Sequence, residues 1–139
     1  DYAHHPTEIT ATINAAKKIE TGKITVVFQP HRYSRTNFFL NEFAESLKLA
    51  DEVYLLPIYS AEEENIYNIS SEKLAELIGG NTRVYSEEEI SDRVLNDNSS
   101  ENVYLFMGAG SISRIANTIK NKLPLWSYRE KSFDISIYQ

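Results

Sequence analysis

The chain has 139 residues, 42% hydrophobic and 24% charged, with a formal net charge of −6 and an isoelectric point near 5.1. That is one domain's worth of ordinary globular sequence, since compact domains mostly run to about 100–150 residues; it excludes a disordered tail, a coiled coil, a collagen-like fibre and a protein that lives on nucleic-acid backbone contacts. No run of 18 apolar residues spans a membrane, and the absence of cysteine rules out a thiolate metal site and suits a reducing cytoplasm.

The chain opens on Asp-Tyr-Ala-His-His, without a signal-peptide profile, and enters at a helix start as if cut just after a strand. Pro6, Thr7 and Glu8 make a good first turn because proline's missing N–H is not needed there; Ile9, Ile13 and Ala16 then share a face, and Thr21-Gly22 stops the helix. Ile24–Phe28 is the first strand. Phe39, Phe43 and Leu47, widened by Leu40 and Ala44, predict one helix after it. Val53–Pro57 is the second strand. Ser70-Ser71-Glu72 caps a helix with Leu74, Leu77 and Ile78, closed by Gly79-Gly80. Thr82–Tyr85 is the third strand and Ser86 to Leu95 the next helix. Val103–Met107 is the fourth strand, followed by a helix from Ser111 with Ile112, Ile115, Ala116 and Ile119, stopping before Pro124.

Strands 1, 2 and 4 are nearly continuous hydrophobics, the pattern of parallel strands covered on both faces. With helices alternating between them, the fold class is α/β: a doubly wound, mostly parallel, Rossmann-like sheet with helices on both faces. The tail from 123 to 139 holds the lone Trp126 and the alternation Phe133–Tyr138, which predicts an antiparallel edge strand.

Three stretches carry candidate chemistry. Phe28-Gln-Pro-His-Arg-Tyr-Ser-Arg-Thr36 leaves a buried strand and opens a helix, so it lies at the carboxyl edge of the sheet, where α/β folds bind ligands. It gathers His31, Arg32 and Arg35 in an otherwise acidic chain. Arginine pairs bidentately with carboxylates and phosphates; the bland reading is two solvated arginines and a loop histidine. Asp1 to Glu8 is the second stretch. Tyr2 and His4 offer a flat surface and donors to a nucleotide or substrate, whereas His5 or Thr7 also suits a helix cap. Adjacent histidines point apart and make a poor chelating pair, so no metal site is assigned. Gly108-Ala-Gly-Ser111 is the third, a tight strand-to-helix turn whose N–H groups can face a ligand; position 113 is serine where a dinucleotide fingerprint has glycine. The acidic runs Glu62–Glu64 and Glu87–Glu89 read as a solvated loop and a helix first turn, with no chemistry assigned. No P-loop and no Gly-x-Ser-x-Gly elbow occurs.

Taken together, Asp-Tyr-Ala-His-His-Pro-Thr-Glu, Gln-Pro-His-Arg-Tyr-Ser-Arg and the Gly-Ala-Gly-Ser-Ile-Ser turn resemble the C-terminal domain of the Mur ligases, the ATP-dependent amino-acid ligases of peptidoglycan synthesis. The similarity runs over residues 1–122, leaving 123–139 as a tail. Within the family, the arginine stretch resembles the branch that adds L-alanine to UDP-N-acetylmuramate through an acyl phosphate. The resemblance implies a fragment of a three-domain cytoplasmic parent whose missing domains hold the UDP-sugar and most of the ATP and Mg²⁺, so that this domain alone is inactive. It implies His4, His31, Arg32 and Arg35 as catalytic, with Tyr2 and Ser111 joining them in substrate binding, and Asp1, Tyr2 and His5 at the nucleotide. Two alternatives stand beside it: the branch that adds a tripeptide in cell-wall recycling, and a stand-alone α/β anion-binding module. A nucleotide-sugar oxidoreductase is disfavoured by the missing third glycine.

Overall fold

A computed structural model describes residues 3–20, 22–99 and 101–123 of the chain and the backbone of 135–137. Among these residues the order is α1 (Pro6–Ile19), β1 (Ile24–Gln29), α2 (Tyr33–Phe38), α3 (Leu40–Leu47), β2 (Glu52–Leu55), α4 (Ser71–Ile78), β3 (Arg83–Val84), α5 (Glu87–Leu95), β4 (Val103–Gly108), α6 (Ile112–Lys122) and β5 (Ile135–Ile137). The strands form one sheet in the order β3-β2-β1-β4-β5, and each neighbouring pair is parallel.

Parallel pairing leaves both sheet faces to be covered, and the side chains divide accordingly. Val26, Phe28, Leu55, Leu105 and Met107 pack with Ile9 and Ile13 of α1, Phe43 and Leu47 of α3 and Leu74 of α4. Val27, Tyr54 and Phe106, one residue out of phase, pack on the other face with Ile90 and Val94 of α5 and Ile112, Ile115 and Ile119 of α6. The period of two along each strand thus supplies both cores of a three-layer sandwich.

Two expectations need correction. The helix expected through Phe39 is two helices, meeting at Phe39 (φ −103°, ψ 20°). Thr36 Oγ1 donates back to the Arg32 carbonyl at 2.8 Å, a bond that bends helices. Phe38 then points to solvent at 76% exposure, while Phe39 packs edge-on against Phe43 and His5. The tail strand is parallel to β4, not antiparallel; Leu105 pairs with Ser136. Helix α6 crosses back over a sheet face and returns the chain to the starting end, which makes the next strand parallel. The side chains of Trp126 and Phe133 lie outside the described residues.

Candidate functional site

In this strand order the chain runs outward in opposite directions from β1 and β4, which makes their junction the switch point where doubly wound sheets open a crevice. The register sets Gln29 opposite Gly108, so the segments leaving these two strands face each other across that crevice. The cleft they open has a volume of about 900 Å³ and is lined by His4, His31, Arg32, Ser34, Arg35, Asn37, Phe38, Phe39, Tyr67, Ala109 and Gly110. All four residues expected to be catalytic, drawn from positions 4 and 31–35, therefore meet in one place.

Arg32 sits at the N-cap of α2 with φ 71° and ψ 140°, and its side chain caps nothing. Non-glycine residues persist in that region only when their surroundings fix them, and here they do. The Arg32 N–H donates to the Tyr59 carbonyl at 2.7 Å, and the Tyr59 N–H donates to the Pro30 carbonyl at 2.8 Å. The Tyr59 ring lies parallel to the His31 imidazole, 9° apart in plane with centroids 5.5 Å apart. Gly110 also approaches this ring: a Cβ there would lie 2.9 Å from Tyr59 Cγ, on a backbone with φ 97°.

His31 titrates below the usual imidazole range, because burial disfavours its cation and the Arg32, His4 and Arg35 charges add to that, against Glu63. Near neutral pH that direction favours the uncharged ring. Arg35 lies one turn into α2, its guanidinium 6.0 Å from the Phe39 ring centroid. Its Nε is buried without a hydrogen-bond partner, while the side chain as a whole is half-buried on the cleft wall. His4 is half-buried on the cleft wall, its N–H donating to Glu8 and its Nδ1 3.8 Å from the same carboxylate.

The remaining expected residues fall elsewhere. His5 caps α1: its Nδ1 accepts from the Thr7 N–H at 3.2 Å and its own N–H donates to Glu8 at 3.1 Å. Its ring packs on Phe39 and it is not among the cleft-lining residues. Ser111 Oγ donates to Gln29 Oε1 at 3.0 Å, tying the β4–α6 turn to the end of β1 behind the cleft. Asp1 and Tyr2 lie outside the described residues.

Sequence reasoning missed Glu63, which it placed in a solvated acidic loop. Its carboxylate accepts from the Ser34 N–H at 2.9 Å and from the Ser34 hydroxyl at 2.7 Å, and lies 3.9 Å from Arg32. Those donors and the Arg32 charge, against slight desolvation, hold Glu63 below the usual carboxylate range. Tyr59, Tyr67 and Asn37 were missed as well. The one available signal was negative: Arg32 has no side-chain acceptor, so α2 begins without a cap of its own.

The family model "Mur ligase, glutamate ligase domain" matches residues 1–110. The chain belongs to the Mur ligase family. It is 48% identical over 124 residues to a UDP-N-acetylmuramate–L-alanine ligase of Fusobacterium nucleatum, covering 88% of this chain and 26% of the relative. A protein of the same name from Agathobacter rectalis is 42% identical over 126 residues, 88% of this chain and 28% of the relative. The chain therefore spans about a quarter of the length of these curated relatives. A solved domain of a candidate UDP-N-acetylmuramate:L-alanyl-gamma-D-glutamyl-medo-diaminopimelate ligase from Haemophilus ducreyi superposes with a TM-score of 0.62 at 25% identity, covering 89% of this chain and 88% of that one.

Proposed function

We propose that residues 1–122 are the amino-acid-binding C-terminal domain of a cytoplasmic, ATP-dependent ligase that joins L-alanine to the lactyl carboxylate of UDP-N-acetylmuramate in peptidoglycan synthesis, with 123–139 as a C-terminal tail. The observation that carries the reading is the convergence of Arg32, Arg35, His31 and His4 on the switch-point cleft of an otherwise acidic chain. An amino-acid carboxylate needs a fixed cation, and a planar guanidinium meets it with two parallel N–H donors.

In this reading Arg35 and Arg32 grip the alanine carboxylate, His31 and His4 donate to or accept from the bound amino acid, and Ser111 supports the turn that faces it. A neutral His31 can accept a proton from the attacking amine without first losing one. Holding that amine against the acyl phosphate contributes several kcal/mol through positioning alone, of the roughly 7–11 kcal/mol that well-oriented reactants reach. The cleft lies at the top of the roughly 300–1,000 Å³ range of small-molecule sites, more than one alanine fills, which leaves room for the second substrate. Among the described residues no three His, Asp or Glu side chains converge on a metal position, and no P-loop is present. ATP and Mg²⁺ are assigned mainly to the rest of the ligase, with Asp1, Tyr2 and His5 at the nucleotide-facing border, and no step is routed through them.

The test is phosphate release by the full-length ligase with ATP, Mg²⁺ and UDP-N-acetylmuramate, comparing L-alanine with the L-Ala-γ-D-Glu-diaminopimelate tripeptide. L-alanine should drive release, and Arg35→Ala should then lose about 2–5 kcal/mol in kcat/KM for L-alanine if it pairs a desolvated carboxylate. Release driven only by the tripeptide moves the protein to the recycling branch. Release by neither supports an anion-binding module.

A further inference from the structure

The arginine-bearing helix α2 begins in an unusual way. Its N-cap residue is Arg32, which has no acceptor to offer and makes no side-chain cap bond. The acceptor comes instead from Glu63, in the loop between β2 and α4 and 29 residues beyond Ser34, which takes both the N–H and the hydroxyl of Ser34. The same carboxylate faces the Arg32 guanidinium at 3.9 Å. We propose that Glu63 is a positioning residue of the amino-acid site, holding Arg32 and the first turn of α2 in the geometry that receives the substrate carboxylate.

Three observations support a positional rather than a merely stabilising role. First, Arg32 is 53% exposed on its side chain, and an exposed pair at that distance contributes little to stability. Its effect is to restrict where the guanidinium points. Second, the loop that delivers Glu63 is itself held in strained backbone, with Ala61 at φ 49° and Glu62 at φ 68°, and strain of this kind persists where surrounding contacts over-determine it. Those contacts are the Tyr59 backbone bonds to Pro30 and Arg32 and the Glu63 N–H to the Ser60 carbonyl at 3.0 Å. The loop is thus fastened to the arginine segment at two points, through the backbone at Tyr59 and a side chain at Glu63. Third, Glu63 is the carboxylate paired with Arg32, whereas Arg35 Nε is buried without a partner. One guanidinium is steadied by an anion, and the other lies on the cleft wall with no ion pair among the described residues.

The inference rests on the reading that the cleft binds L-alanine. Its test uses the full-length ligase and the variants Glu63→Gln, Glu63→Asp, Arg32→Ala and the Glu63→Gln/Arg32→Ala double variant. Steady-state kinetics would be read for each substrate, with thermal unfolding alongside. Glutamine keeps the size and an acceptor for Ser34 but removes the charge facing Arg32. An exposed ion pair is worth at most a few-fold in an equilibrium constant, so Glu63→Gln should raise the KM for L-alanine about three- to fivefold through the loosened Arg32. The KM values for ATP and UDP-N-acetylmuramate should stay within about twofold, because the perturbation is confined to one substrate's groups. Aspartate should restore part of the loss, and Glu63→Gln should add little once Arg32 is gone. An unchanged KM for L-alanine overturns the proposal. So do losses that multiply in the double variant, or equal losses for all three substrates with a lowered unfolding temperature. If Glu63→Gln does not fold, Ser34→Ala removes one of the two bonds and should raise the same KM by a smaller factor; no change there also overturns it. Wild-type ligase that is idle with L-alanine fails the functional reading itself, whereas an active wild type with an indifferent Glu63 fails only this inference.

Discussion

Gly110 offers the sharpest check on the cleft wall, because one methyl group reads both its packing and its link to His31. Three of the four positive-φ glycines differ in what a Cβ would meet. Gly80 (φ 61°) has nothing within 4 Å, Gly110 (φ 97°) has the Tyr59 ring at 2.9 Å, and Gly108 (φ 134°) has the backbone oxygen of Gln29 at 2.5 Å. The backbone cost of a left-handed alanine is about 1–2 kcal/mol, which sets the expectation for Gly80→Ala. Overpacking adds roughly 1–3 kcal/mol when a side chain must give way, so Gly110→Ala should lose about 2–5 kcal/mol. At Gly108 the obstacle is strand backbone, which moves only if the β1–β4 ladder opens, and the loss should exceed both, at about 4 kcal/mol or more. Urea unfolding followed by circular dichroism measures all three. Since the displaced Tyr59 ring stacks on His31, Gly110→Ala should also move the His31 imidazole resonances, and Gly80→Ala should not. Equal unfolding midpoints for the Gly80 and Gly110 variants, with the His31 signals in place, would refute the wall described here.

Two further outcomes follow from the same geometry. His31 should titrate below the ordinary imidazole value of about 6.5, since burial and then Arg32, His4 and Arg35 oppose its cation and only Glu63 favours it; Arg32→Ala should move that titration upward, and a midpoint above 6.5 by proton NMR would contradict it. Because the folded pKa is depressed, the stability linked to His31 is present above the unfolded pKa and is lost as pH falls through that value toward the folded one. Ser46, 6% exposed, donates to the Pro6 carbonyl at 2.9 Å and accepts from Thr10 Oγ1 at 2.8 Å. Ser46→Ala should therefore lose about 1–3 kcal/mol through the polar groups it strands, and a neutral substitution would mean that water replaces it.

The layers were legible in the residues because burial on both faces writes itself as nearly continuous apolar runs: Ile24–Phe28 and Val103–Met107 admit little else. The cap expected at Ser70 forms, with the Lys73 N–H donating to Ser70 Oγ at 3.3 Å. The arginine cluster was legible because strand, loop and helix are consecutive in sequence, so its place at the sheet edge needs no long-range knowledge. What escaped was everything set by a distant partner. Glu63 stands among three glutamates that differ only in which one meets Ser34, and nothing local distinguishes them. The break at Phe39 depends on a hydroxyl bonding backwards from Thr36 and on where two adjacent rings find room. The direction of the last strand is fixed by the path of α6, which alternation in the strand itself does not encode.

A chain of net charge −6 holds a cationic cleft because fields in salt water are local. At physiological ionic strength the screening length is about 8 Å, so the sum over the surface matters less than the few groups inside that radius. Elsewhere the acidic surplus is spent on structure. Glu87, Glu88 and Glu89 sit in the first turn of α5, where negative charge complements the helix dipole, and Glu87 also reaches Arg114 of α6 at 2.9 Å. Glu52 pairs with Lys23, away from the cleft, where β1 and β2 begin. Glu63 is the acid paired within the arginine segment, and it is held by two hydrogen bonds from Ser34 that direct it toward Arg32 and not Arg35. With one of two guanidinium charges balanced and the imidazole neutral, the pair keeps one positive charge to spare, which matches the single carboxylate of an amino acid. Two uncompensated arginines would favour a dianion such as phosphate, and on this argument removing the Glu63 charge should shift the cleft's preference from a carboxylate toward inorganic phosphate.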